Sequence, residues 1–163
     1  MNNFTFYSPT EFVFGKGTEL NVGELCKKHG ASRVMIIYGG GSVVRSGLLD
    51  KVKASLADSG IACCEFSGVQ PSPIDTKVYE GLEVARSFKP DFLLPVGGGS
   101  VIDTAKAIAV GYYYNGDFWD FYEGKHVEKA LPVGTVLTIA AAGSEGSPDS
   151  VITKEPGMIK RGT

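Results

Sequence analysis

No apolar run in the 163 residues approaches the roughly 18 needed to cross a membrane. The opening Met1-Asn2-Asn3-Phe4 has no basic stretch leading into an apolar one, so no secretory signal and no membrane partner are expected. Cysteine is scarce: Cys26, Cys63 and Cys64 make an odd count in no metal-like spacing. Cys63 and Cys64 are neighbours in an expected strand and so point to opposite faces. All three read as reduced core cysteines of a cytoplasmic protein. The only histidines, His29 and His126, lie far apart without a second ligand at metal spacing. Both read as surface residues, and no metal ligand or catalytic residue is assigned within the chain. A basic excess is also missing: 16 Lys and Arg face 18 Asp and Glu. That argues against nucleic acid as a partner. What remains is ordinary globular composition, 43% hydrophobic and 21% charged. The length fits one domain that buries a core without staples.

One residue type is in excess. Glycine occurs 22 times, about twice the usual share of roughly 7%. There is no G-X-Y period, so a collagen-like chain is excluded, and the glycines sit beside apolar runs rather than in polar tracts.

The pattern alternates. Residues 4–7 and 11–14 are aromatic-rich and read as two short extended pieces, with Gly15-Lys16-Gly17 after them. Thr18 is placed as N-cap of a helix to about His29, with Leu20 and Leu25 inward and Gly30 closing it. Residues 33–38 form a continuous apolar run, as in a parallel strand buried on both faces. Gly39-Gly40-Gly41-Ser42 follows, then a helix to Asp58 with Leu48, Leu49, Val52 and Leu56 at helical spacing, stopped by Gly60. A strand is expected over 61–66, a proline-stiffened loop over 68–73 and a helix over 75–88. Residues 91–96 make a third strand, followed by Gly97-Gly98-Gly99-Ser100 and a helix with Val101, Ile102, Ala105, Ile108 and Ala109 inward. An aromatic segment around Trp119 precedes a fourth strand over 133–139. A small-residue loop covers 140–148, a short strand 150–153, and the rest reads as a turn. Strands alternating with helices predict an α/β fold: a mostly parallel sheet flanked by helices, Rossmann-like and dinucleotide-binding, with an N-terminal strand pair.

Both strand–GGGS–helix loops fall where open parallel sheets bind ligands, at the carboxyl ends of strands. A helix N-terminus offers unpaired N–H groups and partial positive charge, and glycine lets a phosphate approach the backbone. Gly97, Gly98, Gly99 and Ser100 are therefore read as a pyrophosphate cradle, with Ser100 adding a hydroxyl and capping the helix. The alternative is a tight turn without a ligand. The Gly39–Ser42 loop is expected two or so strands away. Its strand ends without the carboxylate that binds the ribose 2′-OH of NAD, and Ser42 and Arg45 leave room for a 2′-phosphate. The reading thus leans to NADP over NAD, with Arg45 as a plain solvated residue in the alternative. Asp103 is placed in the first helical turn, either contacting the nicotinamide end or a substrate, or complementing the helix dipole. Thr138, before the small loop 140–144, leaves room for a ring or ribose. Neither loop fits G-x-G-x-x-G with its downstream acid, nor a P-loop.

The segment from Val96 to Lys106, VGGGSVIDTAK, resembles the GGGSxxDxAK signature of the iron-containing (group III) alcohol dehydrogenases. Further pieces resemble the same family: Pro9-Thr10 with Phe14-Gly15-Lys16-Gly17-Thr18, Pro71-Ser72-Pro73 with Val78 and Gly81, and Thr138 with Gly143-Ser144-Glu145. Tyr38 to Ser42 and Gly116-Asp117-Phe118-Trp119-Asp120 are similar to the butanol dehydrogenase branch. The resemblance implies an N-terminal NAD(P)-binding domain, here residues 1–163, and a C-terminal all-helical domain that carries the metal, Fe or Zn, on one Asp and three His. It implies hydride transfer between NAD(P)H and a primary alcohol or aldehyde such as butanol. By matching positions, Gly98, Gly99 and Ser100 would bind pyrophosphate, and Gly39, Gly40 and Ser42 would lie at the adenosine ribose. Thr138, Ser147 and Lys160 would contact the cofactor. Ser147 and Ser72 stand where relatives carry Asn, and Ala142 where they carry Thr.

The resemblance puts the metal ligands beyond this chain, so the expectation is a cofactor domain with little or no turnover alone and an exposed face that favours a homodimer. Two alternatives stand beside it. One is an isolated nucleotide-binding module. The other is a relative such as glycerol dehydrogenase or dehydroquinate synthase, which Ser100 and the Trp119 segment argue against.

Overall fold

The computed structural model describes residues 3–5 and 7–163. Four parallel strands form the main sheet: β1 (Arg33–Tyr38), β2 (Ala62–Phe66), β3 (Phe92–Gly97) and β4 (Val136–Leu137), in the order β2-β1-β3-β4. The helix α1 (Val22–Lys28) precedes β1, and α2 (Ser42–Arg45), α3 (Leu48–Asp58), α4 (Asp75–Phe88) and α5 (Gly99–Tyr112) run between the strands. The α/β class and the mostly parallel sheet expected from the alternating pattern are what the chain adopts.

The strand faces divide the core in two. Val34 and Ile36 of β1 meet Val22 and Cys26 of α1 and Leu49, Val52 and Leu56 of α3. Met35 and Ile37 face the other way, onto Val78, Leu82 and Ala85 of α4 and Ala105 and Ile108 of α5. This is the period-2 alternation of a strand between two helical layers. Cys63 packs with the first cluster and Cys64 with the second, as their adjacency requires. All three thiols are free. Complete burial of a side chain such as Leu56 or Ile108 contributes about 1.5–3 kcal/mol.

Several boundaries differ from the sequence expectations. Among the described residues no strand precedes Thr18, so the N-terminal strand pair is not formed. Phe6 of the first piece lies outside the described residues. Extended chain becomes strand only when its N–H and C=O groups find a ladder. Here Phe4, Tyr7, Phe12 and Phe14 stand exposed, and Glu11 is held by Lys28 and His29. Thr18 does not cap a helix; its hydroxyl donates to Gly15 O, and Thr18–Asn21 is a 3-10 turn leading into α1. Leu20 is therefore exposed, and Val22 and Cys26 form the inner face. The helix after the first glycine loop is cut in two because Gly47 adopts φ +73° between α2 and α3.

The fourth strand is shorter than 133–139. Val133 makes only an isolated bridge to Leu93, and Gly134 passes where a Cβ would meet the Phe92 ring at 2.8 Å. The last residues are not a turn: β5 (Val151–Lys154) and β6 (Ile159–Gly162) form an antiparallel hairpin. It is tied to α4 by the buried Asp75, whose carboxylate accepts from Glu155 N, and by Thr153 N donating to Pro73 O.

Candidate functional site

Strand order fixes the site. From β1 the chain moves to one neighbour, β2, and then returns across β1 to β3 on the other side. The carboxyl ends of β1 and β3 therefore flank the switch point of a 2-1-3-4 sheet, the crevice where such sheets take ligands. Tyr38 pairs with Val96 in register. The two glycine loops are consequently on adjacent strands, not two strands apart, because β2 lies outside β1 rather than between the loops.

The glycines are not equivalent. A Cβ on Gly97 would sit 2.7 Å from Val101 Cγ2, so Gly97 is required for α5 to turn back onto β3. A Cβ on Gly98, Gly99 or Gly40 would meet nothing within 4 Å. Gly98 has an extended backbone, φ −95°, that any residue adopts. Neither packing nor backbone asks for glycine at 98 and 99. Their missing side chains leave a cradle open at the N-terminus of a 14-residue helix. The first N–H groups of that helix have no intrahelical acceptor, and its dipole favours an anion there. The residues present thus fit a nucleotide pyrophosphate. Ser100 is already inside the first turn of α5; the N-cap is Gly98, which offers no side-chain cap.

On the β1 side, Gly41 needs its freedom, with φ +103°, and packs near the Arg45 guanidinium. Ser42 opens α2 and is exposed. Gly39 O accepts from Gly68 N, which draws the loop after β2 against this mouth. The nearest strand carboxylate, Glu65 on β2, is engaged by Tyr38 OH and Lys53. Those hydrogen bonds, Lys53 foremost, hold it below the ordinary carboxylate range.

On the β4 side, Thr138 N donates to Gly97 O at 3.1 Å, joining the 139–143 loop to the cradle strand. The far end of that loop is fixed by α5. Lys106 Nζ donates to Ser144 O at 2.6 Å, Ser147 O at 2.7 Å and Asp149 O at 2.7 Å, with Ser144 Oγ at 3.0 Å. Burial pulls the Lys106 ammonium below its ordinary pKa, and Asp103, Asp149 and Glu145 oppose that by their charge. Asp103 is beyond the first turn of α5. Its carboxylate accepts from Ser144 Oγ at 2.7 Å and Val151 N at 3.2 Å, so it binds this loop rather than complementing the helix end.

Ser147 Oγ donates to Asp149 Oδ2, and its carbonyl is one of the Lys106 acceptors. Lys160 lies on the exposed strand β6 opposite Thr153. Lys106, Ser144 and Asp149 were not assigned from sequence. The signal for Lys106 was its spacing: residues 99, 103 and 106 lie at i, i+4 and i+7 on one helix face. No group of three His, Cys, Asp or Glu able to hold a metal occurs among the described residues. His29 sits on Glu11 at the surface and His126 is exposed, so the residues present do not fit a metal. No helix described is long and apolar enough to cross a membrane.

The family model of iron-containing alcohol dehydrogenases matches residues 9–163. A probable NADH-dependent butanol dehydrogenase 2 of Bacillus subtilis is 51% identical over 154 residues, covering 94% of this chain and 39% of that protein. The NADPH-dependent aldehyde reductase YqhD of Escherichia coli is 42% identical over 159 residues, covering 95% and 40%. The crystal structure of NADH-dependent butanol dehydrogenase A from Thermotoga maritima superposes with a TM-score of 0.96 at 48% identity, covering all of this chain and 41% of that one. The chain spans about 40% of the length of the relatives it matches.

Proposed function

The chain belongs to the iron-containing alcohol dehydrogenase family, and from that premise we propose that residues 1–163 are the NAD(P)-binding domain of a metal-dependent alcohol dehydrogenase. The observation that carries this is the pair of adjacent loops at the switch point, with Gly98 and Gly99 open before the N-terminus of α5. The β1, β3 and β4 loops stand in a row, which supports a dinucleotide laid along them, and in this reading adenosine goes to Gly39, Gly40 and Ser42, pyrophosphate to Gly97–Ser100, and nicotinamide toward Thr138 and the 139–143 loop.

The reaction is hydride transfer between the nicotinamide and a primary alcohol or aldehyde, as the names of the relatives suggest. The metal that activates the alcohol oxygen belongs with sequence those longer relatives have in addition. This domain holds and orients the cofactor, in a protein we place in the cytoplasm as a homodimer. Asp103, Ser147 and Lys160 stay in the cofactor reading: the first two shape the loop, and Lys160 reaches the cofactor from the hairpin.

Of the two nucleotides we favour NADPH. No carboxylate ends β1, the Glu65 charge is neutralised by Lys53, and Arg45 lies beside Gly41. Relatives carry names of both kinds, NADH-dependent and NADPH-dependent. Calorimetric titration of the protein with NADPH and NADH tests the assignment. Saturable binding of at least one is expected, and binding of neither would remove it.

A further inference from the structure

Lys106 has no part in the steps above, yet with Asp103 it makes a dense polar cluster. They lie three residues apart, one turn of α5, on the face that is not fully buried, in line with Gly99. The Lys106 ammonium has three protons, and three backbone carbonyls converge on it at 2.6–2.7 Å. Ser144 Oγ joins the pair, receiving from Lys106 and donating to Asp103. Asp103 O accepts from Ser150 Oγ, which in turn meets the buried Tyr122 OH at 2.7 Å.

Residues 144–151 are thereby fixed to the helix that forms the cradle. Thr138 is fixed to the last residue of the cradle strand. Five residues, Ile139 to Gly143, span the two anchors; Ile139 is 67% exposed, and positive φ at Gly143 turns the strap into its second anchor. Both anchors lead back to elements that flank the 97–99 segment, so the strap is held beside the cradle at both ends.

We infer that Lys106 and Asp103 are positioning residues that set the 139–143 strap against the nicotinamide half of the bound dinucleotide. The inference rests on the cofactor-site reading above. A lysine is required because a compact ammonium satisfies three carbonyls from different directions; the planar guanidinium fork does not. The adenosine and pyrophosphate contacts, made by the β1 and β3 loops, are independent of the clamp.

The test titrates wild-type protein, Lys106→Met and Ser144→Ala with NADPH, NADH and ADP. ADP needs the first two loops alone, so it separates loss of positioning from general loss of structure. Lys106→Met is expected to weaken the dinucleotide that wild type binds by about tenfold or more, with ADP affinity held within about twofold. Ser144→Ala, which removes two half-buried bonds and leaves the helix intact, is expected to shift dinucleotide binding the same way by a smaller factor. It carries the test alone if Lys106→Met does not fold. Equal weakening of ADP and dinucleotide, or unchanged dinucleotide binding in folded variants, overturns the proposal. Wild-type protein that binds ADP but no dinucleotide overturns it while leaving the glycine cradle in place. Wild-type protein that binds none of the three overturns the cofactor-site reading itself.

Discussion

Tyr38 and Val96 are register partners at the carboxyl ends of β1 and β3. Because of that pairing, Gly39 and Gly97 leave the sheet side by side, and two loops 58 residues apart in sequence share one crevice. The pairing also separates the glycines by purpose. Gly97→Ala places a methyl 2.7 Å from Val101 and is expected to destabilise by about 1–3 kcal/mol. Gly98→Ala and Gly99→Ala meet open space and are expected to leave the melting temperature nearly unchanged. They should nevertheless weaken NAD(P)H by about tenfold or more, since the methyl takes the phosphate's place. Thermal melts and titrations on the three variants check this. Equal binding by wild type and Gly99→Ala would count against the cradle.

Gly23 tests the packing of the other layer. A Cβ there would lie 2.0 Å from the Ser55 carbonyl, and Gly23 N donates to Ser55 Oγ at 2.9 Å. The obstacle is backbone, which does not rotate away. Gly23→Ala is expected to force α1 off α3 and to cost about 3 kcal/mol or more, at the upper end for overpacking. Urea unfolding gives the number, and a change under about 1 kcal/mol would show that α1 shifts freely.

The parts legible in the sequence were those written locally. The run from Arg33 to Tyr38 and the helix Asp75–Phe88 have the observed bounds, because unbroken apolar character and 3.6-residue spacing report burial directly. The glycine loops were found for the same reason. What was not legible depended on partners remote in sequence. Strand order decides that the loops adjoin, and β1 cannot announce that β2 lies outside it. The β6 strand exists because Val151–Lys154 offers it a ladder, and Ile159–Gly162 alone has no strand pattern. Lys106 stood in the signature without a role, because its partners at 144–149 are about forty residues away and only the fold brings them onto it.

Ser72 is a non-glycine residue held in the left-handed region, with φ 57°. That conformation costs an ordinary residue about 1–2 kcal/mol, and Asn bears it better through local hydrogen bonding. Ser72→Asn is therefore expected to stabilise the protein by about 0.5 kcal/mol, and Ser72→Gly by a similar amount. A rise in the denaturation midpoint for both checks the conformation. A fall for both would mean that the Ser72 hydroxyl is needed.

Asp91 should dominate the acid response. Its carboxylate accepts from Arg33 N at 2.9 Å, Ser32 N at 3.0 Å and the Ser32 hydroxyl. Partial burial raises its pKa, but these hydrogen bonds outweigh it and hold the group below its ordinary value. A carboxylate whose folded pKa is depressed stabilises fully above the unfolded value, about 3.9, and loses that contribution as pH falls through the folded one. Wild-type stability is expected to drop below about pH 4. Asp91→Asn, about 1–2 kcal/mol less stable at neutral pH, should show a shallower drop. Parallel acid limbs in the two proteins would assign the acid sensitivity to other groups.

Arg45 is expected to decide between the two nucleotides. Its guanidinium lies beside Gly41, within the loop proposed for the adenosine end, and Ser42 stands exposed beside it. A ribose 2′-phosphate placed there adds charge that only a cation or a hydroxyl can meet, whereas a 2′-OH asks for a carboxylate. The Glu65 carboxylate on the neighbouring strand β2 is bound by Lys53 and Tyr38. Arg45→Ala removes the cation from an exposed turn of α2, so stability should change by less than about 0.5 kcal/mol. NADPH affinity should fall by about tenfold or more, the size of a lost charge-assisted hydrogen bond. NADH affinity should stay within about twofold, because its 2′-OH makes no ion pair to lose. Parallel titrations of wild type and Arg45→Ala with the two nucleotides read this directly. If both affinities fall together, Arg45 acts on the pyrophosphate instead; if neither moves, it is a solvated residue and the preference for NADPH has lost its physical basis.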